Sequence, residues 1–307
     1  MMSRVDSYLA LRRAAGFKLE GTGYRLYSFA RFVAERGETR VRSETAVAWA
    51  ASAVSPLQRH VRLRDVAIFA RHLRAEDPTH EVPDAQVFPR RGDARPPRIF
   101  SHEETARILA AAGRLGPAGT SRADTFRTLF GLLAATGLRI GEALRLKLQD
   151  FTADALRIRN TKFRKSRIVP LHPTTAAALV GYRMRWRVVA DPGEPFFVST
   201  RGTALGPDAV FTTFDRIVRS EGLRTDASPG ECRRPSPALR DFRHSFAVRS
   251  LEACAGSRAA IDRHMLALAT YLGHVSVAST YWYLHATPSL MTSIADACEV
   301  WARGGRR

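Results

Sequence analysis

Four cations, a histidine and a tyrosine stand in locally distinctive strings across the C-terminal two-thirds of the 307-residue chain: Arg139, Lys162, Arg240, Arg243, His274 and Tyr283. Together these residue types can hold a DNA phosphate and attack it with a phenol. A guanidinium offers a planar fork that matches two phosphate oxygens. Lysine can release a proton near neutral pH, and arginine cannot. A phenol can form a covalent phosphoester. No acidic cluster with metal-ligand spacing accompanies them, so the expected chemistry calls for no metal and no cofactor, with cations on the protein neutralising the phosphate instead.

Each string has its own logic. Residues 135–144 place a glycine turn before a helix, with Arg139 and Glu142 three apart and so on one face. Glu142 is then a supporting residue that orients a neighbouring cation from behind, although such a pair alone reads equally well as a surface salt bridge. Residues 157–167 read as a hairpin holding six cations and no acid, the usual mark of a solvated face or of one that meets a phosphate backbone. The chain has only four lysines among its 48 basic residues, Lys18, Lys147, Lys162 and Lys165, and two of them lie here. A general acid for a leaving alkoxide must be able to give up a proton, which makes Lys162 the proton-donor candidate. Residues 238–247 are expected to be helical, with Arg240 and Arg243 on one face, His244 beside them, and Leu239, Phe242 and Phe246 turned to the core. In 271–285, Gly273 ends one helix, His274 follows the turn, and Tyr281, Trp282 and Tyr283 lie in the next helix. Residue types alone do not choose between the two tyrosines.

The elements that must position these groups belong to a strongly basic chain, with a net charge of +19 and a pI near 11.1. There are 17 basic against 11 acidic residues up to Pro97, and 31 against 18 after it. Both halves therefore favour a polyanion. No apolar run reaches the roughly 18–20 residues of a membrane helix, and no apolar signal core follows the N-terminus, so a cytoplasmic protein is expected. Cys232, Cys254 and Cys298 lie far apart without metal-ligand spacing and read as reduced thiols.

Residues 1–76 should be helical, with a break near Gly21–Gly23, an alanine-rich helix over 43–54, and a helix opened by the Ser55-Pro56 cap. That last helix carries Arg59, Arg62, Arg64, Arg71 and Arg74. From Asp77 to Arg98 the pattern fails in a proline- and arginine-rich extended stretch. The expected domains are a helical module over 1–88, a basic linker over 89–98 and a second domain over 99–307, which begins at a Ser101/Glu104 capping box. Helices run to about 135. Strand-prone runs follow at 145–151, 155–159 and 166–170, then helices at 173–189, 207–220, 239–254, 259–269, 276–285 and 288–302. The fold class is mainly α with a small antiparallel β-sheet, in two domains suited to clamping a duplex.

The ordered set of strings resembles the tyrosine recombinase (phage integrase) family over about residues 98–300: an arginine in Thr-Gly-Leu-Arg, a hairpin lysine before Arg-x-Val-Pro-Leu, an Arg-His box, Leu-Gly-His, then tyrosine. Residues 1–88 are similar to that family's core-binding domain. The resemblance implies that Tyr283 is the nucleophile, that Arg139 and Arg243 clamp the phosphate, and that Lys162 protonates the leaving 5′-hydroxyl. It also implies that His274 hydrogen-bonds the phosphate and that His244 supports the site. Arg240 departs from the pattern, since the family usually has histidine there and arginine cannot accept a proton. Water, or help from His274, is then expected to deprotonate Tyr283.

The implied partners are double-stranded DNA and further protomers on it, as a tetrameric synapse or with related recombinases. An amphipathic last helix from Leu290 to Trp301 would dock on a neighbour or on its own domain. The Tyr-Trp-Tyr-Leu-His ending resembles recombinases of transposon-type mobile elements. A type IB topoisomerase-like relaxing enzyme and a catalytically inactive DNA-binding regulator are the alternatives. If Lys162 is the general acid, Lys162→Ala should cleave a 5′-bridging phosphorothiolate, whose leaving group needs no proton, at close to the wild-type rate. The comparison is single-turnover cleavage of the two substrates, and equal loss on both removes Lys162 from that role.

Overall fold

In the computed structural model, residues 1–89, 98–159, 166–224, 236–254 and 258–273 are described. The chain divides into two units, Met1–Ala94 and Arg95–Arg307. The described residues of the first unit form four α-helices, α1 (Met2–Ala14), α2 (Glu20–Glu35), α3 (Ser43–Ala51) and α4 (Pro56–Glu76), and a 3₁₀ turn at Ala85–Val87. Leu9, Leu26, Phe29, Val33, Trp49, Leu63, Val66 and Phe69 form its core, each such side chain contributing about 1.5–3 kcal/mol on burial. Ser55 caps α4, accepting the Gln58 N–H at 3.2 Å, with Pro56 in the first turn.

The break between α1 and α2 does not fall at Gly21–Gly23, which lie inside α2. It falls at 15–19, where Gly16 and Leu19 take positive φ of 91° and 48°. Gly23 is there for packing: a Cβ on it would sit 3.3 Å from a methyl of Leu9 on α1. The stretch from Asp77 to Phe88 is not extended either. His80 is buried and accepts the Val41 N–H at 3.0 Å, Glu81 accepts the Ser43 N–H at 2.7 Å, and Val82 and Phe88 pack on the core. Part of the arginine supply of α4 is also spent internally. Arg62 lies over the Trp49 ring, and Arg64 joins Arg25 in an ion pair with the buried Asp65.

The second unit opens with α5 (His102–Gly113), started by the Ser101/Glu104 capping box with both reciprocal bonds present. Then come α6 (Arg122–Thr136), the single turn α7 (Ile140–Ala143), β1 (Ala155–Ile158), β2 (Arg167–Pro170), α8 (Pro173–Trp186), α9 (Pro207–Ser220), α10 (Arg240–Glu252) and α11 (Arg258–Leu272). The strands pair antiparallel with Ile158 opposite Arg167. Residues 145–151 do not form the expected strand. Leu146 and Leu148 are buried alternately as the pattern required, but their partner is the 192–196 segment, where Pro195 has no N–H to extend a ladder. The run ends in a 3₁₀ turn at Leu148–Asp150. The expected helices at 276–285 and 288–302 lie outside the described residues.

Two features of this unit aim the arginine-bearing segments. Phe242 on α10 packs on Phe100, on Phe130 of α6 and on Phe214 of α9, with ring centroids 5.1–6.1 Å apart, and so fixes its neighbours Asp241 and Arg243. Gly137 ends α6 at φ 60°, and a Cβ there would lie 2.7 Å from the Phe246 ring and 3.2 Å from Leu272. Gly137→Ala should therefore cost about 2–4 kcal/mol, from the left-handed backbone and the overpacking together. The measurement is thermal unfolding beside Gly131→Ala, a helical site where the added methyl meets nothing closer than 4.0 Å. Equal midpoints for the two variants would refute the account.

Candidate active site

Arg139 occupies the N-cap position of α7, immediately after the Gly137 turn. Its N–H and its Nη1 donate to the two oxygens of Glu142, at 3.1 and 2.9 Å. The same guanidinium reaches the end of α11, with Nη1 to the Leu272 carbonyl at 3.4 Å and Nη2 to the Gly273 carbonyl at 3.2 Å. Arg243, 7% exposed, donates to the Leu272 carbonyl at 2.7 Å and to the Gly137 carbonyl at 2.9 Å. Arg139 and Arg243 thus share an acceptor, although 104 positions separate them in the chain. The last carbonyls of a helix lack intrahelical partners and carry the negative end of its dipole, so α11 gathers cations just before His274.

A third arginine completes the group, and the site reading of the sequence passed over it. Arg167, the first residue of β2, places both Nη atoms on the Glu142 carboxylate at 3.2 and 2.9 Å and its Nε on the Tyr271 carbonyl at 2.7 Å. A signal was available in strand alternation, which puts Arg167 on the inner face with the buried Val169 and leaves Ile168 exposed. A charge facing in beside an isoleucine facing out requires a buried counter-ion.

Glu142 is that counter-ion, 4% exposed. Burial by itself pushes its carboxyl up. Hydrogen bonds and charge from Arg167, then the N–H and guanidinium of Arg139, outweigh burial and hold it below the ordinary carboxylate range. Arg139 and Arg167 set two guanidiniums against this one carboxylate, a balance that favours a further anion. The Arg139 side chain is 38% exposed, so it is open to one. An adjoining cleft of about 340 Å³ is lined by Arg145, Lys147, Arg157 and Arg159 as well as Glu142 and Asp150.

Arg240 and His244 lie on α10 in different settings from Arg243. Arg240 is exposed on the first turn and donates no side-chain hydrogen bond to any described residue, whereas Arg243, one turn further along the same face, is buried. His244 is half-buried, and burial, followed by the charges of Arg240 and Arg243, lowers its pKa to about 4. Tyr271 is stacked on Phe246 at 5.4 Å, and burial raises its phenol to about 12. Lys162, His274 and Tyr283 lie outside the described residues. Among the described residues no group of three or more His, Cys, Asp or Glu side chains could hold a metal ion.

Comparison with known proteins places this geometry in context. Residues 98–289 match the model of the phage integrase family. A Sinorhizobium fredii protein named as an integrase/recombinase, y4rB, is 39% identical over 298 residues, covering 94% of this chain and 93% of its own length. The tyrosine recombinase XerC of Rhizobium meliloti is 29% identical over 65% of this chain and 57% of its own length. Among solved structures, a lambda integrase dimer bound to a COC′ core site superposes with a TM-score of 0.63 at 17% identity, covering 92% of this chain and 94% of that one.

The depressed pKa of His244 has a consequence for stability. Between its ordinary value of 6.5 and about 4, the unfolded chain binds a proton at His244 and the folded chain does not. This residue therefore costs the fold stability as pH falls through that window. Asp241, raised by burial to about 6 from 3.8, acts in the opposite sense. Urea unfolding at pH 7, 5.5 and 4.5 should show His244→Gln losing less stability on acidification than the wild type. Parallel losses would rule out a neutral buried His244.

Proposed function

The chain belongs to the phage integrase family and is a site-specific DNA recombinase of the tyrosine type, and from that premise we propose how its residues carry strand exchange. The observation that supports the reading is the convergence of Arg139, Arg167 and Arg243 on Glu142 and on the Tyr271–Gly273 carbonyls. In this reading the arginines gathered at the helix end just before His274 are the group that receives the phosphate.

In the proposed reaction a scissile phosphate of double-stranded DNA sits against Arg139 and Arg243, with His274 as a further hydrogen-bond donor. The Tyr283 oxygen attacks phosphorus as its phenolic proton leaves. The bond from phosphorus to the 5′-oxygen breaks, and Lys162 delivers the proton that this oxygen takes up. The products are a 3′-phosphotyrosyl enzyme and a free 5′-hydroxyl. Attack by a 5′-hydroxyl from a partner strand reverses the steps, and since one phosphoester replaces another, no ATP is consumed. Positive charge concentrated where the phosphorane develops its negative charge is the main catalytic contribution.

Neither Arg240 nor His244 is suited to accept the phenolic proton. Arg240 cannot, and His244, at a pKa of about 4, is too weak a base to be effective near neutral pH. That assigns the proton to water or to His274. Arg240 takes a different part. It stands exposed on the first turn of α10, where the helix dipole disfavours a cation and favours an anion, so a backbone phosphate bound there would satisfy both.

The first unit, with exposed Arg71 and Arg74 on α4, serves in this reading as the core-binding module on the same duplex. Exchange between two duplexes requires several protomers, and we assign a tetrameric synapse as the active assembly. No helix among the described residues is long and apolar enough to cross a membrane, and with bacterial relatives we place the reaction in the bacterial cytoplasm. A relaxing topoisomerase is not favoured, because the named relatives are recombinases.

The test is covalent capture. Nicked duplexes from the ends of the host element, incubated with the protein in EDTA and run on denaturing gels, should give a protein–DNA adduct that Tyr283→Phe abolishes while duplex affinity stays within about twofold, the phenol being a nucleophile rather than a binding anchor. An adduct that survives Tyr283→Phe and disappears in Tyr281→Phe would move the nucleophile. Tight binding with no adduct would favour the inactive regulator.

A further inference from the structure

We propose that Arg167 is a positioning residue for the phosphate clamp, acting through Glu142 and the end of α11 to hold Arg139 in place. The inference rests on Arg139 being a clamp residue. Arg167 has no guanidinium nitrogen left over for a substrate. Its side chain is 13% exposed against 38% for Arg139, and each of its three guanidinium nitrogens donates to a protein acceptor, two to Glu142 and one to Tyr271. Arg139 draws on the same carboxylate and on the next two carbonyls of the same helix end. The two arginines therefore flank one anion and one helix terminus, and only Arg139 is open outward.

The close fit around Arg167 appears at a separate position. Gly273 has φ 68°, and a Cβ on it would stand 2.9 Å from Nη1 of Arg167. The glycine leaves room for this guanidinium. Without Arg167, Glu142 would keep one guanidinium partner in place of two while remaining buried. A buried carboxylate with its charge half met draws the remaining cation towards itself, and Arg139 would be pulled off the phosphate. Lysine is an incomplete replacement, since one ammonium cannot span both carboxylate oxygens and the Tyr271 carbonyl with the fork geometry of a guanidinium.

A substrate with a neutral methylphosphonate at the scissile position separates positioning from simple loss of structure, because it lacks the charge that the clamp meets. Single-turnover adduct formation would be measured with the full-length chain on phosphodiester and methylphosphonate duplexes. The proteins are the wild type, Arg139→Ala, Arg167→Met, Arg167→Lys and the double variant Arg139→Ala/Arg167→Met. Arg167→Met should slow the phosphodiester reaction by about 10-fold or more, the scale of losing a residue that supports a binding group. On the methylphosphonate its deficit should shrink to about twofold or less, and the double variant should be no slower than Arg139→Ala, because the two share one mechanism.

Equal deficits on both substrates, or deficits that multiply in the double variant, overturn the proposal. If Arg167→Met does not fold, Arg167→Lys keeps the charge and is read by the same substrate comparison. If Arg139→Ala itself gains nothing from the neutral phosphate, the clamp reading fails and takes this inference with it. Relief for Arg139→Ala without relief for the Arg167 variants removes this inference alone.

Discussion

Glu142 is almost inaccessible to water, and a carboxylate removed from water must have its charge met at once or be protonated. It is met by guanidiniums from two distant segments, the turn after α6 and the start of β2, and by the Arg139 N–H. Each arginine offsets part of the cost of burying this anion, Arg167 from the inner side and Arg139 from the exposed one. The arrangement is cooperative in the sense that removing one partner of a buried charge network costs more than the pair is worth in isolation. The second anchor is the end of α11, whose carbonyls at Tyr271, Leu272 and Gly273 take the donors that Glu142 cannot.

The rest of the second unit keeps those partners in register. Phe242 is wedged among Phe100, Phe130 and Phe214, and the next residue is Arg243. Phe100 is itself tied to α10, its N–H donating to Ser245 at 2.8 Å and its carbonyl accepting from Arg249 at 2.6 Å. Phe246, one turn further along, covers Gly137 and stacks on Tyr271. An error at any of these contacts would shift a guanidinium, and the proposed clamp depends on where the guanidiniums stand. Packing and electrostatics are here the same constraint applied to adjacent residues.

Much of this was legible from residue order. The Arg139–Glu142 spacing, the α10 string with Phe242 facing in, and the glycine ending the helix before His274 all follow from helical period and glycine chemistry, and the paired strands at 155–158 and 167–170 follow from β-prone runs around a hairpin. What escaped depended on partners far away in sequence. Gly21 and Gly23 look like a break until Leu9 is known to pack on Gly23. The 145–151 run alternates like a strand, and only the proline opposite it limits the pairing. Arg167 looks like one more cation in a basic run until strand register turns it towards Glu142. Arg240 and Arg243 are three apart on a helix, yet burial separates them, because a stripe near the edge of a buried face is divided between solvent and core.

That division bears on the proton inventory of the proposed reaction. A histidine at position 240 would have offered an acceptor beside the clamp. Arginine there offers a permanent charge, and the charge also acts on its neighbour, since Arg240 and Arg243 together, after burial, keep His244 neutral. The exchange of histidine for arginine thus removes one candidate base and strengthens the field felt by an incoming phosphate. In the proposed reaction the described arginines meet negative charge, and neither Arg240 nor His244 is suited to taking the phenolic proton. Proton movement is there assigned to Lys162, His274 and Tyr283. The same field that holds the phosphate favours ionisation of a phenol brought beside it, because a nearby positive charge stabilises the phenolate. A cluster of arginines without a resident base can therefore assist the nucleophile by lowering the cost of its ionisation rather than by accepting its proton.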